Sequence, residues 1–492
     1  MIHTQIAGLI QQARDHHLIE RADEIYARNQ ILGLLKLVSY PERMTERADD
    51  TIPNLLDNII AYAIDAEVIT DVFDEKEILS ANIMNCLIAR PSTINEIFQK
   101  KYAQSPIDAT TYFYELSKNS NYIQMNRIRK NIQFKSETIY GEMDITINLS
   151  KPEKDPEQIK RERAITEEIH YPTCPLCMEN EGYVGRTGYP ARANHRIIQV
   201  PLGDENWYLQ YSPYVYYTEH SILFAETHRD MKIDQATFTR LLAFVERYPH
   251  YFIGSNADLP IVGGSILSHD HYQAGHYEFA MTRAETAFTF ELERFTNVSA
   301  AVLAWPLAAI RLQSNEQEPI IAAAAHILQT WKGYDDEQAQ IRAFTGDTPH
   351  NTITPIARMN GDLFELDLVL RNNRTSKQDP TGIFHPKQDV QHIKQENIGL
   401  IEVMGLAVLP ARLKAELAEI KQFLLLGTGP VAPYHQDWAN EIKDTYANRF
   451  TEKEIDTMIE TELGKKFTRV LEDAGVFKDK AASKRFIHAL NK

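Results

Sequence analysis

The run Gly263-Gly264-Ser265-Ile266-Leu267-Ser268-His269-Asp270-His271-Tyr272-Gln273 carries the residue types most able to do chemistry in this chain. His269, His271 and Gln273 are spaced by two, and on a β-strand that spacing points all three to one face. A neutral imidazole nitrogen attacks phosphorus well, and the phosphoramidate it forms is labile enough to pass the group on. A nearby amide can donate to a phosphate oxygen as charge shifts in the transition state. The two glycines ahead of the histidines let the backbone approach a ligand closely. The run therefore reads as a phosphate-handling strand. The blander alternatives are a hydrogen-bonded histidine-rich strand and a pure metal site.

Cys174 and Cys177 form the second signal, in Tyr-Pro-Thr-Cys-Pro-Leu-Cys-Met. Cys-x-x-Cys brings two thiolates within reach of one metal, and a tetrahedral zinc, or another transition metal, needs two further ligands. The alternative is a pair of reduced thiols with no metal. A redox motif fits less well, because no thioredoxin-like βαβ pattern surrounds it.

The bulk of the chain limits what these groups can serve. It has 492 residues, enough for more than one domain, with 43% hydrophobic and 24% charged residues. Its net charge of -16 argues against a broad nucleic-acid surface but not against a small phosphorylated substrate. No run of about 18 apolar residues suggests a membrane span. The N-terminus lacks the apolar core of a secretory signal. Three cysteines in so long a chain argue for a reducing cytoplasm, not a disulfide framework.

Three regions are expected to position the motifs. Residues 1–120 read as helical, with apolar residues at three- and four-residue steps in Ile-Ala-Gly-Leu-Ile-Gln-Gln-Ala and in Ile-Pro-Asn-Leu-Leu-Asp-Asn-Ile-Ile. Residues 121–290 read as an α+β half: short strands near 141–149, 197–202, 207–214 and 220–226, one amphipathic helix from Asp234, then strand, glycine turn and strand around the histidines. The charged stretch 151–168 reads as loop, then helix. Residues 291–492 read as a looser version of the same plan: a helix near 320–334, a hairpin turning at Asn360-Gly361, a strand-like run over 397–410, and helices to the end.

Ser-His-Asp-His-Tyr-Gln-Ala-Gly-His-Tyr-Glu-Phe resembles the active-site strand of the galactose-1-phosphate uridylyltransferases, in the histidine-triad superfamily. The helical N-terminus, Asn-His-Arg-Ile-Ile-Gln-Val-Pro-Leu and Asp-Ile-Thr-Ile-Asn-Leu-Ser-Lys-Pro resemble the type 2 branch of Gram-positive bacteria, over nearly the whole chain. Here His-Asp-His stands where the type 1 enzymes have His-Pro-His. The resemblance implies two histidine-triad-like antiparallel sheet halves with flanking helices, the second degenerate. It makes His271 the nucleophile and Gln273 the phosphate donor. It adds His228, with His220 as its rival, and His269 to Cys174 and Cys177 as ligands of one structural metal, with no organic cofactor. It places Asn256, Gly264, Ser265, Arg192 and Glu402 at the substrate, Tyr214 along the nucleotide, and Arg196 as a phosphate or uracil contact. Lys151 and Lys154 stand where type 1 enzymes have an active-site arginine loop. The implied reaction moves UMP from UDP-glucose to galactose 1-phosphate through uridylyl-histidine, in galactose catabolism, by a homodimer. The rival within the superfamily is an adenine-preferring nucleotide hydrolase or dinucleoside polyphosphate phosphorylase.

Overall fold

The computed structural model describes residues 2–42, 47–150, 169–264, 266–446, 451 and 454–492. Ser265 and the stretch 151–168, with Lys151 and Lys154, lie outside the described residues. The chain forms two compact units. One contains Met1–Lys130, Ser150–Val215 and Glu219–His228; the other contains Asn131–Leu149, Tyr216–Thr218 and Arg229–Lys492.

The first unit opens with the helices that apolar spacing predicts. Ile2–Asp15 buries Ile6, Leu9, Ile10 and Ala13, a stripe along one face. Ile52–Asp65 buries Leu55, Leu56, Ile59, Ile60 and Ala63 in the same rhythm, with a proline in its first turn, where no N–H partner is needed. Glu24–Leu34, Phe73–Asn85, Pro91–Tyr102 and Pro106–Asn119 follow suit. Ser105 caps the last of these, its hydroxyl accepting the Asp108 N–H at 3.3 Å.

Three antiparallel strands complete this unit: Ile198–Leu202, Glu205–Tyr211 and Ser221–Ala225. Leu202 pairs with Glu205, so Gly203 and Asp204 alone make the turn, and Gly203 takes a φ of +59° that suits glycine. Asn95, from the helix Pro91–Tyr102, reaches the outer strand. Its amide donates to the Ile197 carbonyl at 3.0 Å, and its oxygen accepts the Gln199 N–H at 2.9 Å. One side chain thus satisfies backbone groups that a neighbouring strand would otherwise engage.

The second unit is built around the long hairpin Asn351–Asn360 and Leu363–Asn372. Asn360 pairs with Leu363, so the loop is Gly361-Asp362, one residue later than the sequence suggests; Gly361, at φ +59°, takes the first loop position. Phe252–Gly254 and then His271–Gly275 add to one side. Ala309–Ser314, Ser299–Leu303 and Thr286–Phe290 add to the other, every neighbour antiparallel. The helices Gln235–Arg247 and Gln317–Lys332 pack on each other and on the hairpin, burying Phe238, Leu241, Leu242, Ile320, Ile327 and Trp331. Within the sheet, Asp367 is fully buried between Arg311, at 2.7 Å, and Arg358.

A smaller sheet joins Ile132–Thr138, Gly141–Ile147 and Leu406–Leu409, the last pair parallel. The strand-like run over 397–410 divides in two here. Leu400–Val403 is a single helical turn, and only Leu406–Leu409 is strand. The Glu402 carboxylate accepts the Gly399 N–H at 3.2 Å, which caps that turn. Helices Leu413–Leu426, Gln436–Tyr446, Ile455–Ala474 and Lys480–Leu490 follow, and a core of Met143, Ile145, Leu406, Ile420, Ile459 and Phe467 joins them to the small sheet. The architecture is α+β, with antiparallel sheets, flanking helices and a helical N-terminal region, as the sequence predicts. No helix among the described residues is long and apolar enough to cross a membrane.

Candidate active site

The strand that carries the histidines begins at His271, so His269 lies two residues ahead of it, and the expected three-residue face shortens to His271 and Gln273. The cause is Asp270, which is bound from the side. Its backbone N–H donates to the Arg229 carbonyl at 2.7 Å, and its carboxylate meets the Arg229 guanidinium at 3.1 Å and the Arg240 guanidinium at 3.9 Å. Arg240 also donates to the Tyr272 hydroxyl at 3.2 Å. The two residues flanking His271 are thereby fixed, which sets the direction of the nucleophile candidate between them. Nothing in the sequence marked Arg229 and Arg240 for this, since both lie far from the motif.

His271 Nδ1 lies 2.8 Å from the carbonyl oxygen of His269. A carbonyl only accepts, so the proton sits on Nδ1 and Nε2 keeps its lone pair. This is the orientation that attack from Nε2 requires. Burial lowers the imidazole pKa to about 4; the His269 carbonyl works against that shift and the neighbouring His269 ring with it. At neutral pH the ring is uncharged, the form that can act as nucleophile. Gln273 pairs across the sheet with Gly254, and its Oε1 is buried without a hydrogen-bond partner among the described residues.

Asn256 is buried beside this strand pair in sequence. Its Oδ1 accepts the Leu400 N–H at 2.9 Å, leaving Nδ2 as its donor. A Cβ on Gly264 would stand 2.8 Å from that Nδ2, and one on Gly263 would stand 2.5 Å from the Ala257 carbonyl oxygen. The glycine pair is therefore required by the fold of its own loop. Glu402 has both oxygens engaged: Oε1 accepts from Lys394 at 2.9 Å and Oε2 from the Gly399 N–H. It stabilises the turn whose first N–H holds Asn256. Lys394 and the Leu400 N–H were not legible as site residues, because a backbone donor carries no sequence mark.

In the first unit, Cys174 Sγ and Cys177 Sγ are 3.4 Å apart, and Cys177 Sγ is 3.2 Å from His228 Nδ1. These three ligand atoms lie within 4.8 Å of one another. His228, not His220, is the histidine of this unit that meets the thiols. Asn180 fixes the turn, donating to the carbonyls of Cys174 and Cys177 at 2.8 Å each. Burial and then the Cys174 thiol push the Cys177 pKa up to about 12. Two soft thiols and an imidazole are the donor chemistry of a zinc-type site, and a bound cation reverses such a shift. His269 belongs to the second unit and is fully buried.

Arg192 donates to the Tyr122 hydroxyl at 3.0 Å, its guanidinium over that ring, and with Tyr214 it lines a cavity in the first unit. Arg196, open in sequence between a substrate contact and a structural arginine, takes the structural role. Its guanidinium donates to the carbonyls of Ala89, Ala193 and His195 and to Asn85 Oδ1, at 2.8 to 3.1 Å. With four of its five N–H groups engaged, this guanidinium clamps the fold and has little left for a phosphate.

Sequence models described as galactose-1-phosphate uridyl transferase, N-terminal domain and C-terminal domain, match residues 17–230 and 244–440. The chain belongs to the galactose-1-phosphate uridyltransferase family. It is 48% identical to galactose-1-phosphate uridylyltransferase from Clostridium perfringens strain 13, over 99% of this chain and 98% of that one. The protein of that name from Lactiplantibacillus plantarum is 49% identical, over 95% of this chain and 96% of that one. Among solved structures, yeast Ap4A phosphorylase Apa2 aligns with a TM-score of 0.32 at 13% identity, covering 66% of this chain and 88% of that one. The family's two matched domains meet between residues 230 and 244, ahead of both Asn256 and the histidine strand.

Proposed function

We propose that this chain is a UDP-glucose–hexose-1-phosphate uridylyltransferase acting by double displacement on His271. Its substrates, UDP-glucose and galactose 1-phosphate, follow from the family. His271 Nε2 attacks the α-phosphorus of UDP-glucose. A P–N bond forms, the bond to the bridging oxygen breaks, and glucose 1-phosphate leaves with that electron pair. A phosphate oxygen of galactose 1-phosphate then attacks the same phosphorus, the P–N bond breaks, and UDP-galactose departs. The proton stays on Nδ1 throughout, donated to the His269 carbonyl, and that hydrogen bond stabilises the charge that the ring acquires. No acid is needed for either leaving group: the first departs as the phosphate of glucose 1-phosphate, the second as the neutral imidazole of His271.

The observation that carries this reading is the Nδ1 contact of His271 with the His269 carbonyl at 2.8 Å, inside a His-x-His-x-Gln run. Gln273 and Asn256 Nδ2 are the proposed donors to the non-bridging oxygens, with Gly264 and Ser265 as further proposed substrate contacts. Arg192 is the proposed contact to the nucleotide. Glu402 enters as the residue that stabilises the Leu400–Val403 turn, with the hexose contact from the family resemblance retained as its second role.

Cys174, Cys177, His228 and His269 are the proposed ligands of one structural zinc or other transition metal. Held there, the ion would fix the Cys-x-x-Cys turn. The remaining parts of the reading are a cytoplasmic homodimer, with 121–290 as the catalytic half, 291–492 as the degenerate half and 1–120 as a helical addition.

Intact-mass measurement after incubation with UDP-glucose alone tests the function. A gain of one UMP, mapped to His271 and removed by galactose 1-phosphate, is expected. Hydrolysis or adenylyl transfer without that adduct overturns the assignment.

A further inference from the structure

The register of the large sheet in the second unit puts one more charged residue on the face of His271. Gln273 pairs with Gly254, Gly254 with Ile356, and Arg371 with Thr352. Paired residues point to one side of an antiparallel sheet, and so do residues two apart along a strand. His271, Gln273, Ile356, Thr354, Thr352 and Arg371 therefore share a face. The segment around Leu400 packs on that same face: a Cβ on Gly254 would stand 2.9 Å from the Leu400 side chain.

Arg371 is 1% exposed, and Trp331 fixes its backbone by donating to its carbonyl at 3.1 Å. Its guanidinium donates to the Ile398 carbonyl at 2.8 Å and to the Thr354 hydroxyl at 3.4 Å, and its Nε has no hydrogen-bond partner among the described residues. Burial lowers its pKa to about 10, and the charge of Glu402 acts against that shift, so it stays protonated at neutral pH. Among the described residues no carboxylate forms an ion pair with it. A buried cation in that state is costly, and an apolar side chain of similar volume would serve packing better. What an apolar side chain cannot do is hold the Ile398 carbonyl.

That carbonyl opens the turn on which Asn256 depends. Gly399 comes next, with its N–H on Glu402 Oε2, and the Leu400 N–H is on Asn256 Oδ1. Glu402 Oε1 is held by Lys394, whose ammonium also donates to the Val408 carbonyl at 3.0 Å. The turn is thus pinned by Arg371 at its start and by Lys394, through Glu402, at its end. Little slack remains between them, since a Cβ on Gly399 would stand 3.2 Å from Asn256 Oδ1. A shift of Ile398 is passed to the Leu400 N–H two residues on, and from there to the Asn256 amide.

We infer that Arg371 is a positioning residue for the Asn256 donor, acting through the turn from Ile398 to Glu402. This rests on the reading of Asn256 as a donor to the substrate phosphates and gives that donor its support.

The test compares Arg371→Met and Arg371→Lys with wild type, each alone and combined with Asn256→Asp, in the full chain. Arg371→Met should melt at or above the wild-type temperature, because a buried unpaired cation is gone. Its kcat should fall about 10- to 100-fold with the KM for UDP-glucose little changed, as loss of alignment in the transition state requires. Arg371→Lys keeps the charge and a donor, and should recover most of the rate. In the Asn256→Asp background Arg371→Met should cost no more than about twofold, since the amide it positions is already lost. Hydrogen exchange of the peptide covering 399–405 reads the turn without turnover, and should be faster in Arg371→Met. Wild-type kcat in Arg371→Met, or multiplicative losses in the double variant, overturn the inference, while a UMP adduct on His271 in the same proteins leaves the transferase reading intact. Equal losses in Arg371→Lys and Arg371→Met, with a matching fall in melting temperature, place Arg371 in the fold alone and overturn it as well. Faster exchange in Arg371→Met with no adduct in wild type removes the transferase reading and leaves the coupling of Arg371 to the turn.

Discussion

Asn256 Oδ1 accepts the backbone N–H of Leu400 at 2.9 Å, across 144 residues of chain, and this single bond decides which way the Asn256 amide faces. The carboxamide cannot turn over without leaving a buried N–H unpaired, at a cost of about 1–3 kcal/mol. Nδ2 is therefore held as a donor beside Gly264 before any ligand arrives. Preorganised donors of this kind stabilise charge that develops in a transition state, because they need no reorientation at the moment of reaction.

Asn256→Asp separates the two roles of that amide. The carboxylate still accepts from Leu400, but the donor is replaced by a second oxygen. The expected outcome is a nearly unchanged melting temperature with kcat/KM reduced about 100- to 1,000-fold. Equal losses of stability and activity would place Asn256 in the fold alone.

His271→Gly should abolish formation of the UMP adduct and leave the unfolding midpoint close to wild type. The imidazole makes one hydrogen bond, to its own chain, so its removal frees no buried partner except the His269 carbonyl. Turnover at the wild-type rate by this variant would remove the central claim.

Asp367→Ala addresses the core. Burial by itself would raise the Asp367 pKa, but the charges of Arg358 and Arg311 outweigh it and hold the carboxyl below its ordinary value. Removing it leaves two largely buried guanidiniums to share the single carboxylate of Glu365, and the loss should be about 3–5 kcal/mol by denaturant unfolding. Its KM values should not move, because the network touches none of the proposed substrate contacts.

Acid should destabilise the chain through two half-buried histidines. Burial, then His276, lowers His250 to about 4. Burial, then His435 and Lys466, lowers His392 to about 4. Both values lie below the roughly 6.5 of an unfolded histidine, so the unfolded chain binds more protons between those limits. The contribution is present above about pH 6.5 and is lost as pH falls toward 4. Melting temperature measured across that window should fall steadily, and His392→Gln should flatten part of the slope.

Removal of metal gives a separate check on the thiol site. Chelation of protein purified with zinc should release one equivalent per chain and lower the melting temperature, and Cys174→Ser should do the same without chelator. Wild-type stability after complete removal would leave Cys174 and Cys177 as two reduced thiols.

Much of this was open to reading from residue types alone, because periodicity reports burial directly. The stripe of Ile6, Leu9, Ile10 and Ala13 needs nothing distant to explain it. Chemistry that uses side chains was also legible, in Cys174 and Cys177 and in the spacing of His271 and Gln273, while His228 came only with the family resemblance. What escaped were features set by partners far away. Arg196 looked like a phosphate contact because nothing local shows that Ala89, Ala193 and His195 take up its donors. The run over 397–410 looked like one strand because most of its residues are apolar. Only the Glu402 cap and the kink at Gly405, with φ +99°, split it into turn and strand.

The reach of Asn95 to the outer strand has a consequence for life at high concentration. Ile198–Leu202 ends its sheet, and a sheet margin with open N–H and C=O groups is a template for another chain's backbone. With the Ile197 carbonyl and the Gln199 N–H already taken by a helix-borne amide, an incoming strand finds that stretch closed. Asn95→Ala would reopen it, and the first sign should be slow self-association into β-rich aggregates rather than any change in the rate of catalysis.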